Sequence, residues 1–146
     1  MLSQRSRYAL RALTDLAARG GEVPVPAGDI ATRQRIPRKF LDLILLDLKG
    51  AGLIASQRGR TGGYRLARPP AQISFGEVIR LLDGPLALVP CVSRTAYRRC
   101  DDCIDEATCA LRRVLGDVRD EAARILDAFT LADALGAEPR AMLAAA

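Results

Sequence analysis

Apolar residues recur at helical spacing from the start of the chain. Over residues 3–19, Tyr8, Ala12, Leu13, Leu16 and Ala17 fall on one face, which predicts a helix ended by Gly20. "EVPVP" then reads as an extended connector, because proline lacks an amide donor and biases its neighbours away from helix. A short helix follows over Gly28–Gln34, anchored by Ile30. Pro37 opens a third helix, where its missing N–H costs nothing, with Phe40, Leu41, Ile44, Leu45 and Leu48 as the buried stripe. Arg38, Lys39, Asp42 and Leu43 lie off that stripe, near the helix start.

Beyond "GAG" at Gly50–Gly52 the period changes from helical to alternating. "LIASQ" and "YRLAR" read as two short strands around "RGRTGG", a glycine-rich hairpin. Helical spacing returns at Ser74–Glu77, where "SFGE" is a capping box that predicts a fourth helix over about Phe75–Asp83. Its apolar residues are Val78, Ile79, Leu81 and Leu82. A long helix follows over about Glu106–Ala128, striped by Leu111, Val114, Leu115, Val118, Ala122, Ile125, Leu126 and Phe129. Leu111, Val118 and Ile125 are seven apart, as on a helix–helix seam, so the long helix is expected to pair with a second copy. Thr130 starts a short helix, and the alanine-rich end after Pro139 is expected to fray.

The expected fold is therefore mostly α with one small β-hairpin. Short helix, turn, helix and basic hairpin follow in the order of a winged helix-turn-helix, whose second helix enters the major groove of DNA. Arg58 and Arg60 stand on the hairpin, where they can touch phosphates or reach a minor groove. The expected organisation is a winged helix-turn-helix region at 1–68, a linking fourth helix at 69–88 and a cysteine-rich loop at 89–108. A dimerisation helix with a short terminal helix follows at 109–136, and a frayed tail at 137–146.

Composition adds to this picture. At 146 residues, 49% hydrophobic and 27% charged, the chain is sized for one globular domain. Net charge is +5, unevenly spread: residues 1–68 carry 13 Lys+Arg against 5 Asp+Glu, and residues 69–146 carry 9 against 12. A basic first half suits a polyanion, through phosphate neutralisation and counterion release. Arg11 and Asp15 interrupt the first apolar run, so it does not read as a signal peptide, and no run approaches a membrane span. The expected location is the cytoplasm, where thiols stay reduced.

That location gives meaning to "PCVSRTAYRRCDDCIDEATCALRR", which holds all four cysteines: Cys91, Cys100, Cys103 and Cys109. Reduced thiols clustered this closely point to metal or redox use. Thiolates favour iron–sulfur clusters, zinc and copper(I). Zinc accepts four cysteines, and a CxxC pair is a normal half-site for it. The same thiols could instead switch by forming disulfides without metal. An enzyme reading, a small thiol oxidoreductase using Cys100 and Cys103, fits poorly. The CxxC does not follow a strand and open a helix, and the chain has no histidine for acid–base work.

The chain resembles the IscR/NsrR/CymR-like family of bacterial transcription regulators. The resemblance rests on "RYALRAL", "PRKFLDLILLDLKGAGLI", "SQRGRTGGYRLAR" and "ISFGEVIRLLDG", followed by the cysteine loop and long helix in the family's order. It implies a homodimer that binds a roughly palindromic DNA operator, usually as a repressor. In many members it also implies an iron–sulfur cluster that reports iron–sulfur, redox or nitric oxide status. By position it assigns Arg38, Lys39, Asp42 and Leu43 to the major groove and the wing arginine Arg58 to the minor groove, with Arg60 beside it. By side-chain type, Arg38 and Lys39 suit guanine and Asp42 suits a cytosine amino group, while Leu43 can touch only a thymine methyl. Phe40 also falls where family members approach bases, but is expected to be mostly core. Arg35 replaces a glycine common at the tight turn, a source of local strain.

The cysteine pattern departs from that of the family. Cys103 and Cys109 have the five-residue gap of the second and third family ligands, whereas Cys91 lies farther back and Cys100 is additional. A histidine ligand of IscR-like members is replaced by Arg112, and the acidic ligand of NsrR-like members falls close to Arg7. The resemblance therefore implies a self-contained four-thiolate site with Cys100 as fourth ligand, for either a two-iron or a four-iron cluster.

Overall fold

The computed structural model describes residues 2–20 and 22–136, so the expected frayed tail lies outside the described residues. Helix α1 (Gln4–Ala18) starts at Ser3, whose Oγ accepts a hydrogen bond from the Ser6 amide at 3.1 Å. This satisfies one of the amide donors left open at a helix start. Helix α1 buries Ala9, Ala12, Leu13 and Leu16 and packs against the next two helices, the fourth and the last. Helix α2 (Ala27–Gln34) buries Ile30, and α3 (Arg38–Gly50) buries Leu41, Ile44, Leu45 and Leu48. Cutting one such leucine back to alanine costs about 2–5 kcal/mol in a close-packed core.

Strands β1 (Ile54–Gln57) and β2 (Gly63–Leu66) form the antiparallel hairpin, pairing Ile54 with Leu66 and Gln57 with Gly63. The connector before α2 contributes a further pairing. Val25 and Tyr64 exchange both backbone hydrogen bonds at 2.8 Å, which ties the hairpin to the helix-turn-helix. Added Cβ atoms at Gly62 and Gly63 would run into the backbone of the Gln57–Gly59 turn and of Val25–Pro26 respectively. Two glycines are therefore needed where the hairpin closes on its neighbours.

Helix α4 (Phe75–Asp83) begins as the capping box predicts, with Ser74 Oγ accepting from the Glu77 amide at 3.1 Å. The box is not reciprocal, since the Glu77 carboxylate accepts from Arg68 at 2.6 Å. Helix α5 (Ala110–Ala128) starts later than the expected Glu106. Asp105 accepts from the Ala107 amide and the Thr108 hydroxyl, which holds that stretch as a turn, and Cys109 Sγ caps the helix by accepting from the Arg112 amide. At the far end, Phe129 stacks edge-on to Phe75 at 5.0 Å and helix α6 (Leu131–Gly136) folds back onto α1 through the fully buried Leu131. The core thus joins the helix-turn-helix to Ile73, Val78, Ile79 and Leu131 in one cluster.

Two positions depart from the expected stripes. Phe40 is 44% exposed, because α3 has only begun there and its ring meets little more than the edge of Tyr8, at 5.9 Å. Leu81 on α4 is likewise exposed, while Leu82 packs partly against the core.

Candidate nucleic-acid interface and cysteine cavity

The start of α3 faces solvent. Arg38, Lys39, Asp42 and Leu43 are all exposed, with Leu43 at 62%. Arg38 Nε donates to Asp42 Oδ1 at 2.9 Å, one helical turn on, and its guanidinium lies close over Gly28 of α2. The pair thus presents a donor fork beside an acceptor. Pro37 gives α3 no side-chain cap, so its first amides remain available to a phosphate. Leu46, 66% exposed, extends this surface one turn further and was not among the expected contacts. Its signal in the sequence is its place three residues after Leu43, off the buried stripe.

On the hairpin, Arg58 and Arg60 are both exposed, and Arg65 of β2 adds a third exposed cation. At the opposite end of the helix-turn-helix, Asp15 is buried beneath α2. It accepts from Arg33 Nη2 at 2.6 Å and from Gln34 Nε2 at 3.1 Å. That bridge fixes the C-terminal end of α2 and hence the turn that delivers α3.

The four cysteines wall a single cavity of about 390 Å³ between the end of the α4–α5 loop and the first turn of α5. All four are free thiols. Cys91 is buried in a short 3₁₀ turn over Pro90–Val92, while Cys100, Cys103 and Cys109 are half-buried. A hydrogen bond with Cys91, then burial and the nearby Cys91, Asp102 and Cys109, push the Cys100 thiol above its ordinary pKa. Val89, Ile104 and Leu111 supply apolar wall, and Arg112 supplies positive charge. Among the described residues, no three or more of Cys, His, Asp and Glu are drawn together as a ready metal-binding group. The thiols border the cavity without converging on one point.

The loop is fastened to α5 on its other side. Arg119 donates to the Val92 carbonyl, next to Cys91, and Arg94 pairs with Asp120 at 2.9 Å. Helix α5 buries none of its own residues, and Leu111, Val114, Val118 and Ile125 stand exposed along one side. Among the described residues, no helix is long and apolar enough to cross a membrane.

A helical core with a paired hairpin beside the exposed start of α3 defines a winged helix-turn-helix protein of the DNA-binding class. Residues 2–137 match the Rrf2 family of iron-dependent transcriptional regulators, and the chain belongs to that family. Its members are transcription regulators and not enzymes. A Rhodobacter capsulatus protein described as rrf2-like is 46% identical over 140 residues, covering 94% of this chain and 93% of that one. The regulator NsrR of Geobacillus kaustophilus is 38% identical over 142 residues, covering 97% and 92%. Among solved structures, CymR, the global cysteine regulator of B. subtilis, superposes with a TM-score of 0.77 at 31% identity, covering 93% of this chain and 96% of that one. T. potens IscR gives 0.75 at 32% identity, covering 100% and 93%.

Proposed function

We propose that this Rrf2-family regulator acts as a homodimer on a roughly palindromic operator, as a repressor, and carries an iron–sulfur cluster on Cys91, Cys100, Cys103 and Cys109. The observation that carries the reading is that all four free thiols border one cavity, between the α4–α5 loop and the first turn of α5. The donor set fits: thiolates hold two-iron and four-iron clusters, and four of them need no histidine or partner carboxylate. Bound there, a cluster would supply a redox- and nitric-oxide-sensitive group, which gives the protein its signal of iron–sulfur, redox or nitric oxide status.

The chain's own residues explain how that site would bear on DNA. Cys91 lies in the turn that Arg119 holds to α5, and Cys109 caps α5 itself. Drawing these sulfurs together fixes α5 against α4, and α6 carries that placement back to α1. On DNA, Arg38 and Lys39 offer donors to guanine edges and Asp42 an acceptor to cytosine, while Leu43 offers apolar contact to a thymine methyl. Arg58 and Arg60 follow the backbone into the adjoining minor groove.

Anaerobic purification with iron, sulfide and zinc analysis tests the cofactor. Iron and sulfide in equal amounts, lost in each Cys→Ser variant, are expected. Zinc without sulfide would replace this reading with a structural zinc site. Gel-shift titration tests the DNA surface: Arg58→Ala is expected to weaken operator binding by about 1–3 kcal/mol. Unchanged affinity would remove Arg58 from the interface.

A further inference from the structure

A second cavity, of about 520 Å³, lies at the α4–α5 joint and shares no residue with the cysteine cavity. Four arginines reach it: Arg80 from α4, Arg94 from the loop, and Arg119 and Arg124 from α5. Only two carboxylates line it, Asp120 and Asp127, and Pro85, Leu86 and Ala87 give it an apolar side. Its size falls in the range of small-molecule sites, which are about 300–1,000 Å³.

The pairing among these charges leaves cationic capacity. Arg80 is spent on Asp127, with two hydrogen bonds at 2.5 and 2.8 Å, and Arg124 on Glu121, with two at 2.9 and 2.7 Å. Asp120, however, serves both Arg94 and Arg119, at 2.9 and 2.7 Å. One carboxylate cannot neutralise two guanidiniums. Arg94 commits a single nitrogen to that bond, and its side chain is 72% exposed. Exposed pairs of this kind are worth little, so an incoming anion can displace them. Guanidinium forks also match planar carboxylates and phosphates in two-point contact.

The cavity stays accessible if α5 pairs through its apolar stripe. Ala123 and Asp127 stand roughly half a turn around the helix from Val118 and Ile125, and Arg119 about 100° from Val118, at the edge of the stripe. We propose that this cavity binds a small dianionic metabolite, a phosphate monoester or a dicarboxylate, held chiefly by Arg94 and Arg119. Because Arg119 also holds the Val92 carbonyl beside Cys91, an occupant draws on the same guanidinium that fastens the cysteine loop. Binding itself does not depend on a cluster.

Isothermal titration calorimetry of the full chain, at constant ionic strength, tests this with inorganic phosphate, glycerol 3-phosphate, succinate and acetate. At least one dianion is expected to saturate with a Kd of about 1 mM or tighter, while acetate does not. The phosphate and dicarboxylate arms identify the ligand class. Arg94→Ala, at an exposed position, is expected to weaken that dianion by about tenfold or more while circular dichroism and thermal unfolding stay unchanged. Arg58→Ala on the hairpin is expected to leave it unaltered. Absence of saturation by every dianion overturns the proposal, and so does loss of binding in Arg58→Ala but not in Arg94→Ala, which would place the anion at the DNA surface.

Discussion

Arg35 holds φ 51° and ψ 49°, left-handed values that no other described non-glycine residue shares in φ sign. Its position closes α2, and the buried Ile36 follows immediately, so the backbone must turn there. A side chain in that conformation costs about 1–2 kcal/mol, part of which glycine gives back through the entropy of the unfolded chain. Arg35→Gly is therefore expected to stabilise the protein by about 0.5–1 kcal/mol, read as a raised urea midpoint at unchanged slope. Asp15 works in the other direction. Burial alone would raise its pKa, but hydrogen bonds from Arg33 and Gln34, with the charges of Arg33 and Arg19, outweigh it and hold the carboxyl below its ordinary 3.8. A depressed folded-state pKa contributes stability that is present above the unfolded value and disappears as pH falls through the folded one. Asp15→Asn should cost about 1–3 kcal/mol near neutral pH, and its gap from wild type should narrow below about pH 4. Denaturation curves across that range measure it, and a gap independent of pH would mean that the charge contributes nothing.

The elements were legible where local chemistry decides and illegible where tertiary pairing does. Helices α1, α3 and α4 follow their apolar spacing, and Ser74 marks the start of α4 to the residue. Their stripes mislead only at Phe40 and Leu81, where periodicity gives a face but not how far the neighbouring helix covers it. The start of α5 was misplaced because its preceding acidic, alanine-containing stretch suits a helix, whereas Asp105 folds it into a turn through side-chain contacts. Gathering all four thiols in a loop was legible, but which residues would share their cavity was not, since Val89, Ile104 and Leu111 come from three separate segments. The hairpin is the sharpest case. "EVPVP" reads as a connector, yet Val25 pairs with Tyr64 across some forty residues, a contact with no local signature. Gly63 exists to permit it, because a Cβ there would strike backbone atoms of Val25 and Pro26, which have little room to yield. Gly63→Ala should thus cost about 1–3 kcal/mol and loosen the hairpin from the helix-turn-helix. Amide exchange at Val25 and Tyr64 should rise before exchange in α1 does. Unaltered protection at both amides would show that the hairpin is held by other contacts.

For the whole molecule, the decisive surface is the side of α5 that the described residues leave uncovered. Leu111, Val114, Val118 and Ile125 are 59%, 52%, 45% and 39% exposed, and they form a continuous stripe rather than scattered residues. Such a stripe in a water-facing helix is stabilised by a second copy, since apolar area removed from water yields about 25 cal/mol per Å². The proposed dimer, built on this stripe, would also explain how one small reading head becomes specific. Two α3 helices set one turn of DNA apart, about 34 Å, bind paired half-sites, and the linkage raises affinity without any new base contact. Val118 lies in the middle of the stripe, so Val118→Asp places a charge where desolvation is greatest. This variant is expected to sediment as a monomer at concentrations where wild type is a dimer, and to lose about 100-fold or more in operator affinity. Arg113→Ala, exposed and about 140° around the helix from Val118, serves as control and should do neither. Because Val118 is distant in sequence from Arg38 and Arg58 and touches none of the expected base contacts, a fall in affinity that tracks the monomer fraction assigns the loss to assembly. If Val118→Asp remains dimeric, the copies meet through some other surface, and the spacing of the two α3 helices must be set there instead.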